Sequence, residues 1–317
     1  MKLKTLVSTV LLTMACAGNG FAQTKFVTLG TQGGPIPSSA SRAQPSNALI
    51  VGDRVYVIDA GDGALRQIYA AGIDLRKVKK IFITHDHDDH NAGWGPIIGV
   101  QWDLGIPPAD VYGPSAKSMM KGFQQYFAVN ARIRQADSKN NHLPPEQAFN
   151  AHDIKGSGLV YQDDLISVSA QENCHFLNDP NTKVTRKSQD KSYALRIQTP
   201  DKTIVVSGDT GRCAVLSDFA KDADLLVHEV VDLPLIREMM RRQHVPDAVA
   251  DGMMRHMAEE HTVSEDIGLL AKAAGVKKVI LTHLVPGGDE PDSRYTDGVR
   301  KHFGGPVEVA RDLMVFE

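Results

Sequence analysis

The 317-residue chain has little cysteine, almost no excess of charge and no long apolar run, and each shortage narrows what it can be. Lysine and arginine total 35 against 38 aspartates and glutamates, a formal charge of −3. No basic face follows from that balance, so composition gives no support to a general nucleic-acid-binding role. No low-complexity tract, heptad run or short tandem repeat is visible. The apolar stretch Thr5 to Ala17 is too short to span a bilayer. It follows Lys2 and Lys4 and precedes the small-residue segment Gly20-Phe21-Ala22, which is the pattern of a secretory signal peptide over residues 1–22. The expected location is periplasmic or secreted, with no membrane-spanning segment in the mature chain. Cys16 raises a lipoprotein alternative, but Thr13 stands where a lipobox wants leucine. Beyond the leader only Cys174 and Cys213 remain, and in an oxidising compartment they either pair or stay as two buried thiols. Residues 23–317 suit one large α/β domain with ample material for a core.

A nucleotide-binding P-loop is also lacking. Gly30-Thr31-Gln32-Gly33-Gly34-Pro35 follows the opening strand Phe26–Gly30, yet no Gly-Lys-Ser/Thr comes after it, so a loop over a substrate cleft fits better. Ala48–Val51 and Val55–Ile58 flank Gly52-Asp53-Arg54 and read as a hairpin, followed by a helix from about Ala64 to Ala71. A helical insertion is expected near residues 114–150. There Met119, Met120, Phe123, Tyr126 and Phe127 recur at helical spacing, mostly as core, until Pro144-Pro145 breaks the segment.

What the chain does have is Thr84-His85-Asp86-His87-Asp88-Asp89-His90, directly after the apolar Lys80-Ile81-Phe82-Ile83. Three imidazoles and neighbouring carboxylates are costly to hold together unless they bind something, and a divalent metal is the usual reason. Alternation puts His85 and His87 on one side of an extended strand end, while Asp89 and His90 fall in the turn beyond, closed by Asn91-Ala92-Gly93.

This run resembles the His-x-His-x-Asp-His signature of the metallo-β-lactamase fold superfamily. The resemblance implies three further ligands: His175 after Leu165–Ala170, Asp209 in Ser207-Gly208-Asp209-Thr210, and His283 in Leu281-Thr282-His283-Leu284. It implies an α/β fold, a four-layer αβ/βα sandwich with the metals at one edge between the sheets. His85, His87 and His175 would hold one ion, Asp89, His90 and His283 the other, with Asp209 bridging. Zinc is the first expectation for both ions, with manganese or iron as alternatives. Asp59, before Ala60-Gly61-Asp62-Gly63, would steady the metal loop without ligating. Cys174 and Cys213 lie beside ligands His175 and Asp209, whose loops must converge.

The bridging aspartate that the resemblance implies argues against β-lactam hydrolysis as the main activity, because true β-lactamases of this fold lack it. Two segments resemble the ribonuclease Z-like branch, which also contains secreted arylsulfatases and phosphodiesterases. His228-Glu229-Val230-Val231 is similar to its His-Glu-Ala-Thr segment, with valines at the last two positions, and His261-Thr262-Val263 is similar to its His-Ser-Thr segment. Carried over, His261 is the general acid and Glu229 its partner, with Asp89 orienting the nucleophile, while His228 simply packs. Thr262-Val263-Ser264-Glu265 also reads as a capping box that starts a helix at Thr262. The opening and closing segments look more like the arylsulfatase-like members. Arg237, Arg241, Arg242 and Arg255 read as an anion contact or an ordinary solvated face. The expected function is a binuclear-metal hydrolase cleaving phosphate or sulfate esters of small molecules with a metal-bridging hydroxide. Lactone or β-lactam hydrolysis and a ribonuclease Z-like nuclease are the alternatives. No stable nucleic-acid partner is expected, and homodimerisation stays open.

Overall fold

The computed structural model describes residues 23–137, 142–176 and 189–317, and the expected signal peptide lies outside them. The first half of the chain supplies β1 (Lys25–Gly30), β2 (Ser46–Val51), β3 (Arg54–Ala60), β4 (Val78–Phe82), β5 (Asp110–Gly113) and β6 (Ala151–Asp153). The second supplies β7 (Gly158–Gln162), β8 (Ser167–Glu172), β9 (Tyr193–Gln198), β10 (Thr203–Val206), β11 (Leu225–Val231), β12 (Lys278–Val285) and β13 (Val307–Val309), and β14 (Met314–Phe316) closes the chain. Two mixed sheets result, ordered β14-β1-β2-β3-β4-β5-β6 and β13-β12-β11-β10-β9-β8-β7. In each, hairpin-linked strands pair antiparallel, whereas β3 to β6 and β10 to β13 run parallel behind crossovers.

Strand faces alternate between two cores. Phe26, Leu49, Tyr56 and Phe82 of the first sheet meet Val168, Leu195, Val227 and Ile280 of the second in the middle layer. The alternate residues Val55, Val57 and Ile81 pack outward against helices Ala64–Ala70, Trp94–Asp103 and Ala116–Asp137. Val205, Leu226 and Val279 likewise pack on helices Ser264–Ala274 and Ser293–Arg300. This is the αβ/βα sandwich that the strand-and-helix pattern predicts.

The helix expected near residues 114–150 is Ala116–Asp137. It does not offer Phe123 or Phe127 to a cleft. Both rings pack with Trp94, Trp102 and Phe149 in the outer core, and Tyr126, at the edge of that cluster, is 81 % exposed.

Two of the register shifts in the sheets place an extra residue near the ends of parallel strands. In β3, Ser46 pairs with Ala60 and Asn47 with Ile58, which leaves Asp59 bulged at φ +55°. In β12, Glu229 pairs with Thr282 and Val230 with Leu284, which leaves His283 bulged at φ +45°. A bulge re-aims a side chain out of the pleat. Both bulged residues lie at the same end of the sandwich, where the parallel strands finish.

Candidate metal centre

β4 ends at Phe82, and the chain then bends through His85 and His87 into the single helical turn Asp88–Asn91. The turn expected for Asp89 and His90 is therefore helical. His85 is wholly buried and its ring lies 4.8 Å from that of His87. His175, past the end of β8, brings Nε2 to 3.3 Å from His87 Nδ1. Its Nδ1 meets the backbone carbonyl of Glu260 at 2.9 Å. A carbonyl can only accept, so Nδ1 carries the proton and Nε2 presents its lone pair to the cluster. His85, His87 and His175 form one group with ligand geometry.

Asp89, His90, Asp209 and His283 form the second. His90 Nε2 lies 3.2 Å from Asp209 Oδ1, and His283 Nε2 lies 3.1 Å from Asp209 Oδ2 and 3.4 Å from Asp89 Oδ2. Asp209 also faces the first group, with Oδ2 3.9 Å from His85 Nε2. Asp59 takes no place among these atoms. Its Oδ2 accepts from His90 Nδ1 at 2.9 Å, and its Oδ1 accepts the Thr84 amide at 2.8 Å. The carboxylate thus fixes the His90 ring and ties it to the His85 loop, the usual service of a carboxylate behind a ligating imidazole.

The polar atoms here suit a cation. His90 Nε2, Asp209 Oδ1 and His283 Nε2 are buried without a hydrogen-bond partner. Burial alone would raise Asp209, yet the adjoining His283 and His90 hold its carboxyl well below the usual range. Burial likewise opposes charge on His283, but Asp209 and Asp89 push its pKa up to about 10. The two carboxylates demand positive charge, and a divalent ion would supply it while leaving the imidazoles neutral, with nitrogen and oxygen donors that fit zinc, manganese or iron.

His261 lies beside this cluster, in the loop between helices Asp247–Glu260 and Ser264–Ala274. Its Nδ1 is 2.9 Å from Glu229 Oε2 and 4.0 Å from Asp209 Oδ2. Glu229 is fixed in turn by the Thr210 amide, which donates to Oε1 at 2.7 Å. Burial works against protonation of His261, but the Glu229 carboxylate more than offsets it and its pKa is raised. His228 points elsewhere: it is fully buried, with Nδ1 on the Glu229 carbonyl, and burial pushes its pKa down to about 4.

The capping box at Thr262 does not form. The helix begins at Ser264 without a side-chain cap, because the Thr262 carbonyl accepts from the Val231 amide at 3.0 Å and Val263 bridges Val231, while the Thr262 hydroxyl donates to the Thr210 carbonyl at 2.6 Å. Residue 262 is committed to the site rather than to the helix end. Arg237 pairs with Asp251 at 2.6 Å and Arg242 pairs with Glu238 on the helices Leu233–Arg242 and Asp247–Glu260, as on a solvated face. Cys174 and Cys213 form a disulfide with Cα atoms 5.4 Å apart, joining the loops that carry His175 and Asp209. The Gly34 amide donates to Asp89 Oδ2 at 2.9 Å, a contact that no residue type announces.

Fold and site together define a protein of the metallo-β-lactamase fold with a buried histidine–aspartate centre suited to divalent metal. Within that fold the chain belongs to the family of the anti-Pycsar protein Apyc1, whose family profile matches residues 24–234. A ribonuclease Z of Mycolicibacterium gilvum is 28% identical over 299 residues, covering 90% of this chain and 94% of its own. The fold is shared with many solved structures, two of which follow. The metallo-β-lactamase fold protein YhfI of Bacillus subtilis has a TM-score of 0.66 at 19% identity, covering 93% of this chain and all of its own. The short form of human tRNase Z has a TM-score of 0.61 at 18% identity, covering 92% and 98%.

Proposed function

We propose that this protein is an exported metal-dependent hydrolase of phosphodiesters. The observation that carries the reading is the Glu229–His261 pair set against the histidine–aspartate cluster. A metal-storage or scaffolding role would leave that pair without a purpose. His85, His87 and His175 would hold one divalent ion and Asp89, His90 and His283 a second, with Asp209 shared between them. Such a pair, when bound, brings the pKa of a water near neutrality and offsets the charge gathering on a phosphoryl group. Glu229 holds His261 Nδ1, which leaves Nε2 to carry a proton to the departing oxygen. Asp89, fixed by Gly34, orients the attacking water.

Phosphodiesters are preferred to sulfate esters because the ribonuclease Z relative is named for a phosphodiester-cleaving activity. The same relative supports a second reading, a nuclease acting on RNA. Against it stand the leader expected from the sequence, which would separate the enzyme from precursor tRNA, and the absence of a net basic charge. The Cys174–Cys213 disulfide also suits an oxidising compartment.

Zinc- or manganese-loaded protein should hydrolyse bis-p-nitrophenyl phosphate faster than p-nitrophenyl sulfate, a homoserine lactone or a cephalosporin, and chelation should abolish the activity. Preference for the lactone or the cephalosporin would replace the proposal with carboxyl chemistry. Faster cleavage of precursor tRNA than of any small diester would favour the nuclease.

A further inference from the structure

The glycine-rich loop after β1 is bound up with only one half of the metal centre. Gln32 is 1 % exposed, and its amide is used at both ends. Nε2 donates to the Ile36 carbonyl at 2.9 Å, and Oε1 accepts the Ser38 and Ser39 amides at 3.0 and 3.1 Å. The loop is therefore closed on a single side chain. Its backbone is stitched to the strand of His283: the Gly33 amide donates to the Leu284 carbonyl and the Leu284 amide to that of Thr31. Gly33 lies so close to the His283 ring that an added Cβ would sit 2.5 Å from Nδ1, and a Cβ on Gly287 would sit 2.4 Å from Gln32 Cγ. Gly34 then donates to Asp89 Oδ2. Residues 32–34 thus touch both His283 and Asp89. The outer contacts of the other group are different: His175 rests on the Glu260 carbonyl and His85 on the Thr84 hydroxyl.

We propose that Gln32 is a positioning residue for one metal site alone, the one built on Asp89, His90 and His283. It closes the loop that presses Gly33 on the His283 ring and holds the Gly34 amide on Asp89. This inference rests on the two-site reading given above. Loss of an outer hydrogen bond to a ligand, here that of Gly34 to Asp89, typically costs about 10- to 100-fold in metal affinity.

The test is zinc binding to metal-stripped protein, followed by calorimetry. Wild type should bind two ions. Gln32→Met keeps the length of the side chain and removes its hydrogen bonds. It should leave one ion at wild-type affinity and weaken the other by about 10- to 100-fold. Gln32→Glu keeps an acceptor for Ser38 and Ser39 and should fall in between. Asp163→Asn, far from the centre, controls for loss of fold stability and should leave both affinities unchanged. Equal weakening of both sites by Gln32→Met, or of neither, overturns the proposal. A wild type that binds one ion or none strikes the two-site reading instead. Hydrogen exchange on wild type keeps the question open to refutation if Gln32→Met fails to fold. The Gly34, Ser38 and Ser39 amides should gain protection only in the binding phase that His283→Ala removes, and protection gained in the other phase, or in neither, overturns it.

Discussion

His261 is 9 % exposed and has one nitrogen engaged by Glu229, so its other nitrogen is what it can offer a substrate. It lies outside both ligand groups as assigned, so His261→Ala should retain metal while kcat falls, by ~10²–10⁴ for a leaving group that needs a proton. Alkoxide esters should suffer most and p-nitrophenyl esters least. A loss of the same size for both would mean that the ring binds substrate or supports structure. The members of the histidine–aspartate cluster were legible in the sequence because histidine and aspartate announce their chemistry by type, and Asp59 was legible by its place after a strand. The Gly34 amide and the Glu260 carbonyl were not, because every residue owns a backbone and only the fold decides which one is aimed at the centre.

Strands and helices follow the apolar patterns closely, as in the hairpin of β2 and β3 and the helix Ala64–Ala70. Connections follow them less well. Thr262 has the spacing of a cap, but tertiary pairing outweighs that local preference, since its carbonyl accepts from the Val231 amide and Val263 bridges Val231, which keeps both residues out of the helix. The disulfide was open in the sequence, because two cysteines beside converging loops are compatible with pairing or with free thiols. Thiol titration of the purified protein under denaturing, non-reducing conditions should find neither Cys174 nor Cys213 free. The bond closes a 39-residue separation, for which chain entropy gives a stabilisation of about 4 kcal/mol. Reduction should therefore lower Tm, and should loosen metal held by His175 and Asp209 before the fold is lost. Unchanged metal affinity in the reduced protein would mean that the two loops hold their places unaided.

At the scale of the molecule, the two sheets are clasped at the end opposite the centre. Asp163, in the turn between β7 and β8, accepts from Tyr56 and Arg54 of the first sheet at 2.7 and 3.2 Å, from Tyr161 at 2.9 Å, and from the Leu165 and Ile166 amides. Asp163→Asn weakens the acceptor and should cost about 2 kcal/mol, the scale of a charge-assisted hydrogen bond, read as a lower Tm at unchanged metal content. Burial alone would raise the Asp163 pKa, but the Tyr56 hydroxyl and the two amides lower it. A lowered folded-state pKa contributes stability above the unfolded-state value of about 3.9 that is lost as pH falls below it toward the folded value. The wild-type advantage over Asp163→Asn should shrink across that acidic window, and an advantage that grew with acid would contradict the assignment. The four-layer architecture was legible because two blocks of strands with helices between them have few packings. The clasp was not, because its partners are distant in sequence and the tyrosines read as core.

Asp59 and His283 share a property that separates them from their strand neighbours: neither has an opposite number in the ladder. Pairing and pleat order on either side proceed as though each were skipped, so the sheet places no demand on the shape of what stands there. The backbone does place one. A positive φ admits few residues other than glycine, and asparagine, aspartate and histidine are the commonest of those. The positions freest to vary without disturbing the core are thus restricted, by sterics alone, to an alphabet rich in ligands and hydrogen-bonding groups. A fold with such sockets at the ends of its strands can exchange one chemistry for another while its interior stays the same.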